Sequence, residues 1–111
     1  MGRREGPAPQ LQLTVGRGPE GPVIDVGGEL DAFTCQEFED ALLGAVDEAG
    51  TGDVTLRLGG LALIDSINLA VLVRAHQRLA EQGGRLVLVS PTELVRQVLE
   101  LTGLDQVMDV R

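Results

Sequence analysis

The sequence predicts a single-domain α/β protein in which helices pack on a mixed sheet of four to five strands. Its 111 residues suit one domain and are too few for two. Segments of alternating hydrophobicity are interleaved with segments of helical periodicity, in the order β-β-α-β-α-β-α-(β). Strands separated by helices are expected to be parallel neighbours, whereas two strands joined by a short turn are expected to be antiparallel. These observations together predict a mixed sheet covered by helices.

The first three strands follow a short N-terminal arm. Residues 1–10 carry Gly, Pro and Arg without periodicity, so we expect a flexible arm followed by a folded domain at residues 11–111. The first two strands are joined by a turn cluster at residues 16–21, and the third ends at a glycine pair before an apolar stretch at residues 61–64. The apolar strand positions are Leu11, Leu13, Val15, Val23, Ile24, Val26, Val54, Leu56 and Leu58.

The first two helices each have a start signal and an end signal. Thr34 and Glu37 have the spacing of a capping box, and Gly50 ends the first helix. Ser66 stands at the N-cap position of the second helix, which ends at a glycine pair, residues 83–84. The predicted apolar faces have helical spacing and consist of Phe38, Leu42, Ala45, Val46 and Ala49, and of Leu69, Leu72, Val73, His76, Leu79 and Ala80.

The C-terminal part predicts one more helix between two short strands. Residues 86–89 suit a buried strand, and residues 107–110 suit a last short strand. Ser90-Pro91-Thr92-Glu93 has the spacing of a capping box, with proline at the first helical position. Gly103 stops this third helix.

Composition narrows the class of partner. The net charge is −8, with nine basic residues against 17 acidic ones. We therefore expect the chain to lack the basic face with which proteins bind nucleic acids or anionic membranes. Phe33 and Phe38 are the only aromatic residues, which leaves little for base stacking. Cys35 is alone and cannot form an intramolecular disulfide. Because the sequence has no run of 18 apolar residues and no apolar signal core, we expect a cytoplasmic protein that binds another protein.

Two segments with candidate functional residues lie at the ends of predicted strands. Residues 28–31 follow the second strand, and residues 65–69 precede the second helix. Sites in open α/β sheets gather beyond the carboxyl ends of the strands. A phosphate on a serine at a helix start is favoured by the helix dipole by about 0.3–1 kcal/mol and opposed by neighbouring carboxylates. Spacing alone leaves two interpretations of Ser66: an ordinary N-cap, or a site of regulatory charge.

The remaining candidates do not indicate an enzyme. His76 has no companion at the spacing of a metal site, and Cys35 is interpreted as a small packed residue, with a lowered pKa as the alternative. Glu29 and Asp31 are neighbouring carboxylates without a nucleophile or an oxyanion donor. No glycine pair has the spacing of a phosphate-binding loop. We therefore expect neither catalysis nor a bound metal or other cofactor.

Three motifs resemble those of the STAS-domain anti-sigma factor antagonists. They are Gly-Glu-Leu-Asp at residues 28–31, Ile64-Asp65-Ser66 before a leucine-rich helix, and Val98-Leu99-Glu100-Leu101-Thr102-Gly103-Leu104, the most family-specific string. The resemblance extends over residues 11–111 in the same order and spacing. It implies the STAS fold and a role in transcription regulation through protein–protein interaction.

For the site, the resemblance implies a phosphorylation switch. In that family the serine of the Asp-Ser pair is phosphorylated by a serine kinase that is itself the anti-sigma factor. The unphosphorylated antagonist binds this kinase and frees the sigma factor, and a PP2C-type phosphatase resets the cycle. Carried over by position, Ser66 is the phosphoacceptor, and the predicted partner-binding residues are Asp31, Asp65, Ser66, Ile67 and Asn68.

The segment departs from the usual Asp-Ser-Ser/Thr-Gly-Leu of the family at two places. Ile67 stands where a small hydroxyl residue is usual, and Asn68 stands where a glycine would let a partner backbone approach closely. The departure supports an alternative: a STAS interaction module that is never phosphorylated and acts as a scaffold or a transporter-associated subunit. A further alternative, a module that binds nucleotides, has no phosphate-binding string in this sequence to support it.

Overall fold

The computed structural model describes residues 10–111 and confirms a mixed α/β domain built on one five-stranded sheet with the strand order β1-β2-β3-β4-β5. β1 and β2 are antiparallel, and every later pair is parallel, as predicted. The strands are β1 Leu11–Gly18, β2 Gly21–Leu30, β3 Val54–Ile64, β4 Leu86–Val89 and β5 Asp109–Val110. The helices are α1 Cys35–Ala49, α2 Ser66–Glu81 and α3 Glu93–Thr102, and a 3-10 turn follows at Leu104–Gln106.

The described part of the chain begins at Gln10, directly before β1. The arm predicted for residues 1–10 lies outside the described residues except for Gln10, whose carbonyl oxygen accepts a hydrogen bond of 2.7 Å from the Glu29 N–H. Because β1 is antiparallel to β2, it begins beside the carboxyl end of β2. Within residues 10–111, no helix has the length and hydropathy needed to cross a membrane.

The core lies between one face of the sheet and the three helices. Buried and half-exposed residues alternate along β2, so the opposite face of the sheet is open to solvent. Phe38 is the only aromatic side chain of this core and is fully buried. Burial of each large aliphatic side chain stabilises the fold by about 1.5–3 kcal/mol. Besides Phe38, the largest fully buried side chains of the described residues are Ile24, Leu30, Leu42, Leu56, Leu58, Leu61, Leu72, Leu79, Leu86, Leu88 and Leu99.

The buried face of α2 differs from the prediction. Val71 and Ala75 are buried, whereas Ala80 is exposed and His76 is only half-buried. The reason is that α2 contacts both α1 and β4, which moves the centre of its buried stripe away from His76.

Two strands are longer than the sequence predicted. β3 continues through Gly59-Gly60 to Ile64, because its neighbour β2 pairs with it along the whole of this length. β2 in turn includes residues 28–30, which the sequence placed after the strand. Gly28 has φ +92° next to a register shift in this pairing, and a Cβ there would collide with the carbonyl oxygen of Gln10. A glycine is therefore required where β1 and β2 approach the candidate site.

The third helix confirms its predicted end and corrects its predicted start. Gly103 follows α3 in the left-handed conformation, with φ 78°. The N-cap is Thr92, whose hydroxyl accepts the Val95 N–H at 3.4 Å. Ser90 cannot be the cap, because it lies two residues before Thr92 with φ 53°. β5 covers only residues 109–110 of the predicted 107–110, because the 3-10 turn extends to residue 106.

Candidate functional site

The two candidate segments meet where β2 and β3 end and α1 and α2 begin. The backbone N–H of Asp65 donates a hydrogen bond of 3.0 Å to the carbonyl oxygen of Leu30, the residue before Asp31. This bond continues the parallel pairing of the two strands beyond Ile64. The loop after β2 and the first turn of α2 therefore lie side by side, as their positions in the sequence predicted.

Asp31 organises the turn that leads into α1. Its Oδ1 accepts the N–H groups of Phe33 at 2.9 Å and of Thr34 at 3.1 Å. The Thr34 hydroxyl accepts the Asp31 N–H at 2.9 Å and donates to the carbonyl oxygen of Glu29 at 2.9 Å. The predicted capping box at Thr34 is therefore wrong: Thr34 makes no side-chain cap, because these bonds already occupy its hydroxyl.

Asp65, and not Ser66, caps α2. Asp65 has the extended conformation of an N-cap, with φ −99° and ψ 177°, and its Oδ1 accepts the Asn68 N–H at 3.1 Å. The predicted N-cap at Ser66 is therefore wrong, because a carboxylate one residue earlier takes the helix donor and also suits the positive end of the helix. Ser66 is the first residue of the helix, it is exposed, and its hydroxyl has no hydrogen-bond partner within residues 10–111.

Asn68 lies beneath this surface. Its side chain is 0% exposed, and its Nδ2 donates to Asp65 Oδ1 at 2.7 Å and to the carbonyl oxygen of Asp31 at 3.2 Å. Both partners are acceptors, which fixes the amide with its nitrogen towards them. The Asn68 Oδ1 is left buried without a partner, at a cost of about 1–3 kcal/mol. The prediction that Asn68 contacts a partner is corrected: its side chain faces inward, so it adds no bulk to the surface around Ser66.

Exposed apolar side chains lie on the segments that meet at the start of α2. Phe33 follows Asp31 by two residues and is 88% exposed, and Ile67, directly after Ser66, is 51% exposed. Leu63 is also exposed and pairs with Glu29 at the end of the sheet. The exposure of Phe33 was not predicted from the sequence. The sequence did contain one sign of this exposure: Phe33, one of the two aromatic residues, lies outside the apolar stripe of the first helix, whereas Phe38 lies within it.

Some charges around Ser66 favour a phosphate on its hydroxyl, and others oppose it. The starts of α1 and α2 lie together and present the positive ends of two helix dipoles. Asp31 and Asp65 oppose a second negative charge, although each carboxylate is already bound by backbone N–H groups. Within the described residues, no three His, Cys, Asp or Glu side chains are grouped to hold a metal ion.

Cys35, the first residue of α1, is not an activated thiol. Burial raises the pKa of the Cys35 thiol above its usual value, and the carboxylates of Glu39 and Asp65 raise it further. The alternative of a lowered pKa at this helix start is therefore wrong, and the thiol stays protonated at neutral pH. Cys35 is partly buried and packs against the hydrophobic core.

A second concave region lies on the open face of the sheet. Arg57 and Asp25 form a two-point ion pair there, with distances of 2.6 and 2.9 Å, between hollows of about 350 and 430 Å³. Because Arg57 is already bound to Asp25 through both contacts, its guanidinium is not free to bind a phosphate group.

Comparisons with known proteins agree with one another about the fold. The family profile described as "Mlab, STAS domain" matches residues 13–109. A curated relative, the anti-sigma-B factor antagonist of Staphylococcus epidermidis, is 32% identical over 87 residues, which are 78% of this chain and 80% of that protein.

Solved structures show the same architecture. The anti-sigma factor antagonist from Mycobacterium paratuberculosis superposes with a TM-score of 0.81 at 24% identity, covering 93% of this chain and 87% of that one. The phosphorylated form of the Bacillus cell fate determinant SpoIIAA superposes with a TM-score of 0.68 at 23% identity, covering 91% and 90%. At these identities the two structures bear on the fold alone.

Proposed function

The chain belongs to the STAS domain family, and we propose that it acts there as an anti-sigma factor antagonist whose binding is switched by phosphorylation of Ser66. The partner is an anti-sigma factor that is also a serine kinase. The unphosphorylated chain binds this kinase and releases the sigma factor, and a PP2C-type phosphatase restores the binding form. The observation that carries the proposal is the exposed and unbonded hydroxyl of Ser66 at the first turn of α2.

The position of Ser66 supports a switch that leaves the fold intact. A phosphate adds a charge of about −1.5 to −2 at neutral pH. At about 6 Å and an effective dielectric constant of about 20, each neighbouring carboxylate opposes it by roughly 3 kcal/mol before screening by salt. Two helix starts offset part of this repulsion, and no hydrogen bond of the Ser66 hydroxyl is lost. Because Ser66 is exposed, water and salt screen most of this repulsion, so the folded domain tolerates the modification.

The surroundings of Ser66 support a docking surface at which a phosphate would prevent the partner from binding. Phe33 and Ile67 offer exposed apolar area, and exposed aromatic residues are common among the side chains that dominate binding energy. Asp31 and Asp65 favour a partner with basic groups around an apolar contact. A new charge inside such an interface costs several kcal/mol, and about 2.8 kcal/mol already reduces affinity a hundredfold. The S. epidermidis relative is named an anti-sigma-B factor antagonist, which supports the antagonist part of the proposal.

A second candidate function is an interaction module that is never phosphorylated, serving as a scaffold or a transporter-associated subunit. Two observations favour it. Ile67 places a branched apolar side chain directly after Ser66, where a kinase would have to accommodate it. The matching profile is also described by the name Mlab and not as an antagonist. In this function the apolar surface binds its partner permanently.

Incubation with kinase and ATP separates the two functions. The purified chain is mixed with MgATP and each anti-sigma factor kinase of its source genome, and its intact mass is measured. We expect the wild type to gain the mass of one phosphoryl group and Ser66→Ala to gain none. Ser90→Ala is the matched control, because Ser66 and Ser90 are the only serines of the chain and both are exposed. Equal binding of one partner by the wild type, Ser66→Ala and Ser66→Asp, without any phosphate adduct, would leave only the permanent module.

A further inference from the structure

We propose that Asn68 is a positioning residue: its buried amide holds the Asp31–Thr34 turn against α2 and thereby fixes Phe33 as the apolar anchor of the surface beside Ser66. The partner side of this inference rests on the proposed function, whereas the positioning itself is a property of the free protein. Asn68 stands where the resemblance led us to expect glycine.

The hydrogen bonds of the turn show why Asn68 has this role. Asp31 and Thr34 bind each other and Glu29, so these bonds give the turn its shape and attach it to β2. None of them joins the turn to α2. Among the side-chain hydrogen bonds of the described residues, the bond from Asn68 Nδ2 to the Asp31 carbonyl oxygen makes that connection. The same nitrogen binds Asp65 Oδ1, so one amide links the turn to the cap of α2.

The unsatisfied oxygen of Asn68 indicates that helix stability does not explain this residue. Asparagine is a poor helix former, and Asp65 would cap the same backbone N–H whatever the side chain at position 68. Asn68 also leaves Oδ1 buried without a donor. Buried polar groups that are only partly satisfied in a native structure call for an explanation other than stability. The two bonds of Nδ2 supply it, since they fix two segments relative to each other.

Phe33 is the residue that depends most on this connection. Its ring is 88% exposed, so packing against the domain does little to hold it in place. Its position is set by the backbone, through the Phe33 N–H bond to Asp31 Oδ1 and through the attachment of Asp31 to Asn68. An anchor held before binding costs less entropy when the complex forms. Loss of the Asn68 amide should therefore weaken binding through Phe33, although Asn68 itself is out of reach of a partner.

Amide hydrogen exchange of the free protein tests the positioning without any partner. In Asn68→Ala we expect the Phe33 and Thr34 amides to exchange at least about tenfold faster than in the wild type, because the turn opens locally. The Val95 amide, bound to the cap of α3, is the internal control and should not change. Unchanged exchange at Phe33 and Thr34 would overturn the proposal. If Asn68→Ala fails to fold, Asn68→Leu, which keeps the buried volume but has no donor, replaces it, and unfolding of both would also overturn the proposal.

A double-mutant cycle tests the action through Phe33. The probe is the kinase that phosphorylates Ser66, with Leu101→Ala as the control, since Leu101 is 87% exposed and lies on α3, which contributes no residue to the candidate site. We expect Phe33→Ala and Asn68→Ala each to weaken binding about tenfold or more, and the double variant to bind no more weakly than the weaker of the two. Fully additive losses would overturn the proposal. If no kinase modifies Ser66, the proposed function fails while the exchange experiment still decides the role of Asn68.

Discussion

Oδ1 of Asp65 accepts two hydrogen bonds from Asn68, one from its backbone N–H at 3.1 Å and one from its side-chain Nδ2 at 2.7 Å. A single carboxylate oxygen therefore caps α2 and orients the buried amide below the site. Ser66, between these two residues in the sequence, takes no part in either bond. The arrangement separates the residue that stabilises the helix start from the residue that is available for modification.

Alanine substitutions should show this separation. Asp65→Ala removes the cap of α2 and should lower the free energy of unfolding by about 1–2 kcal/mol. Ser66→Ala removes a hydroxyl without partners and should change it by less than about 0.5 kcal/mol. Urea unfolding measures both, and Thr92→Ala, which removes the cap of α3, is the matched control for Asp65→Ala. A larger loss in Ser66→Ala than in Asp65→Ala would contradict the assignment of the cap.

The glycine at the end of β2 should be irreplaceable. Gly28→Ala forces a side chain into φ +92° and against the Gln10 carbonyl oxygen, so we expect a loss of more than about 1 kcal/mol in the free energy of unfolding. Gly44→Ala is the control, because Gly44 lies inside α1 with open space around its Cα. That substitution should stabilise the protein by about 0.5–1 kcal/mol. Urea unfolding measures the free energy of unfolding of both variants. Equal changes in the two variants would contradict the crowding at Gly28.

The core and the exposed leucines should respond very differently to truncation. Leu72 is almost fully buried in α2, so Leu72→Ala should lower the free energy of unfolding by about 2–5 kcal/mol. Leu101 is exposed on α3, and Leu101→Ala should change it by less than about 0.5 kcal/mol. Both values follow from urea unfolding curves, and a comparable loss in the two variants would place Leu101 in a buried contact.

The order of elements and most helix ends could be predicted from the sequence because they depend on local signals. Periodicity identified the helices, and Gly50 and Gly103 ended α1 and α3 as expected. The helix starts were harder, since several polar residues near each start compete for the same N–H groups. Hydrogen bonds with the preceding strand end and turn decide that competition at α1, where Glu29 and Asp31 occupy the Thr34 hydroxyl.

The location of the site could be predicted from the sequence, but the orientation of its side chains could not. The ends of two parallel strands predicted that Asp31 and Asp65 would be neighbours. No local pattern could reveal that Asn68 faces inward, because that orientation follows from the packing of α2 against the rest of the domain. The exposure of Phe33 likewise follows from the turn that Asp31 forms. Side-chain direction at a helix start is therefore where the sequence analysis was least informative.

Acid should remove the contribution of the Asp25–Arg57 pair. The hydrogen bond from Arg57 holds the pKa of Asp25 below its ordinary value of 3.8. A carboxyl whose pKa is lowered by folding stabilises the protein above its unfolded pKa and loses this contribution as the pH falls through the folded pKa. Since the Asp25 side chain is 46% exposed, the contribution is small, about 0.2–1 kcal/mol.

Asp25→Asn tests this pH dependence. Compared with the wild type, the variant should be less stable at neutral pH, and the difference in urea midpoints should shrink below about pH 4. Asp47→Asn, on the exposed side of α1, is the control for the general effect of removing one carboxylate. A difference that grew as the pH fell would contradict the stabilising sign assigned to the ion pair.

A permanent charge at Ser66 should separate stability from binding. Ser66→Asp adds a negative charge at an exposed position whose hydroxyl has no partner, so the melting temperature should stay close to that of the wild type. Binding of the anti-sigma factor kinase should weaken by about a hundredfold, because the charge falls among the apolar contacts of Phe33 and Ile67. Ser90→Asp is the matched control and should leave both quantities unchanged. A Ser66→Asp variant that melted many degrees lower would mean that the hydroxyl supports the fold, and one that bound its partner normally would mean that docking occurs elsewhere on the domain.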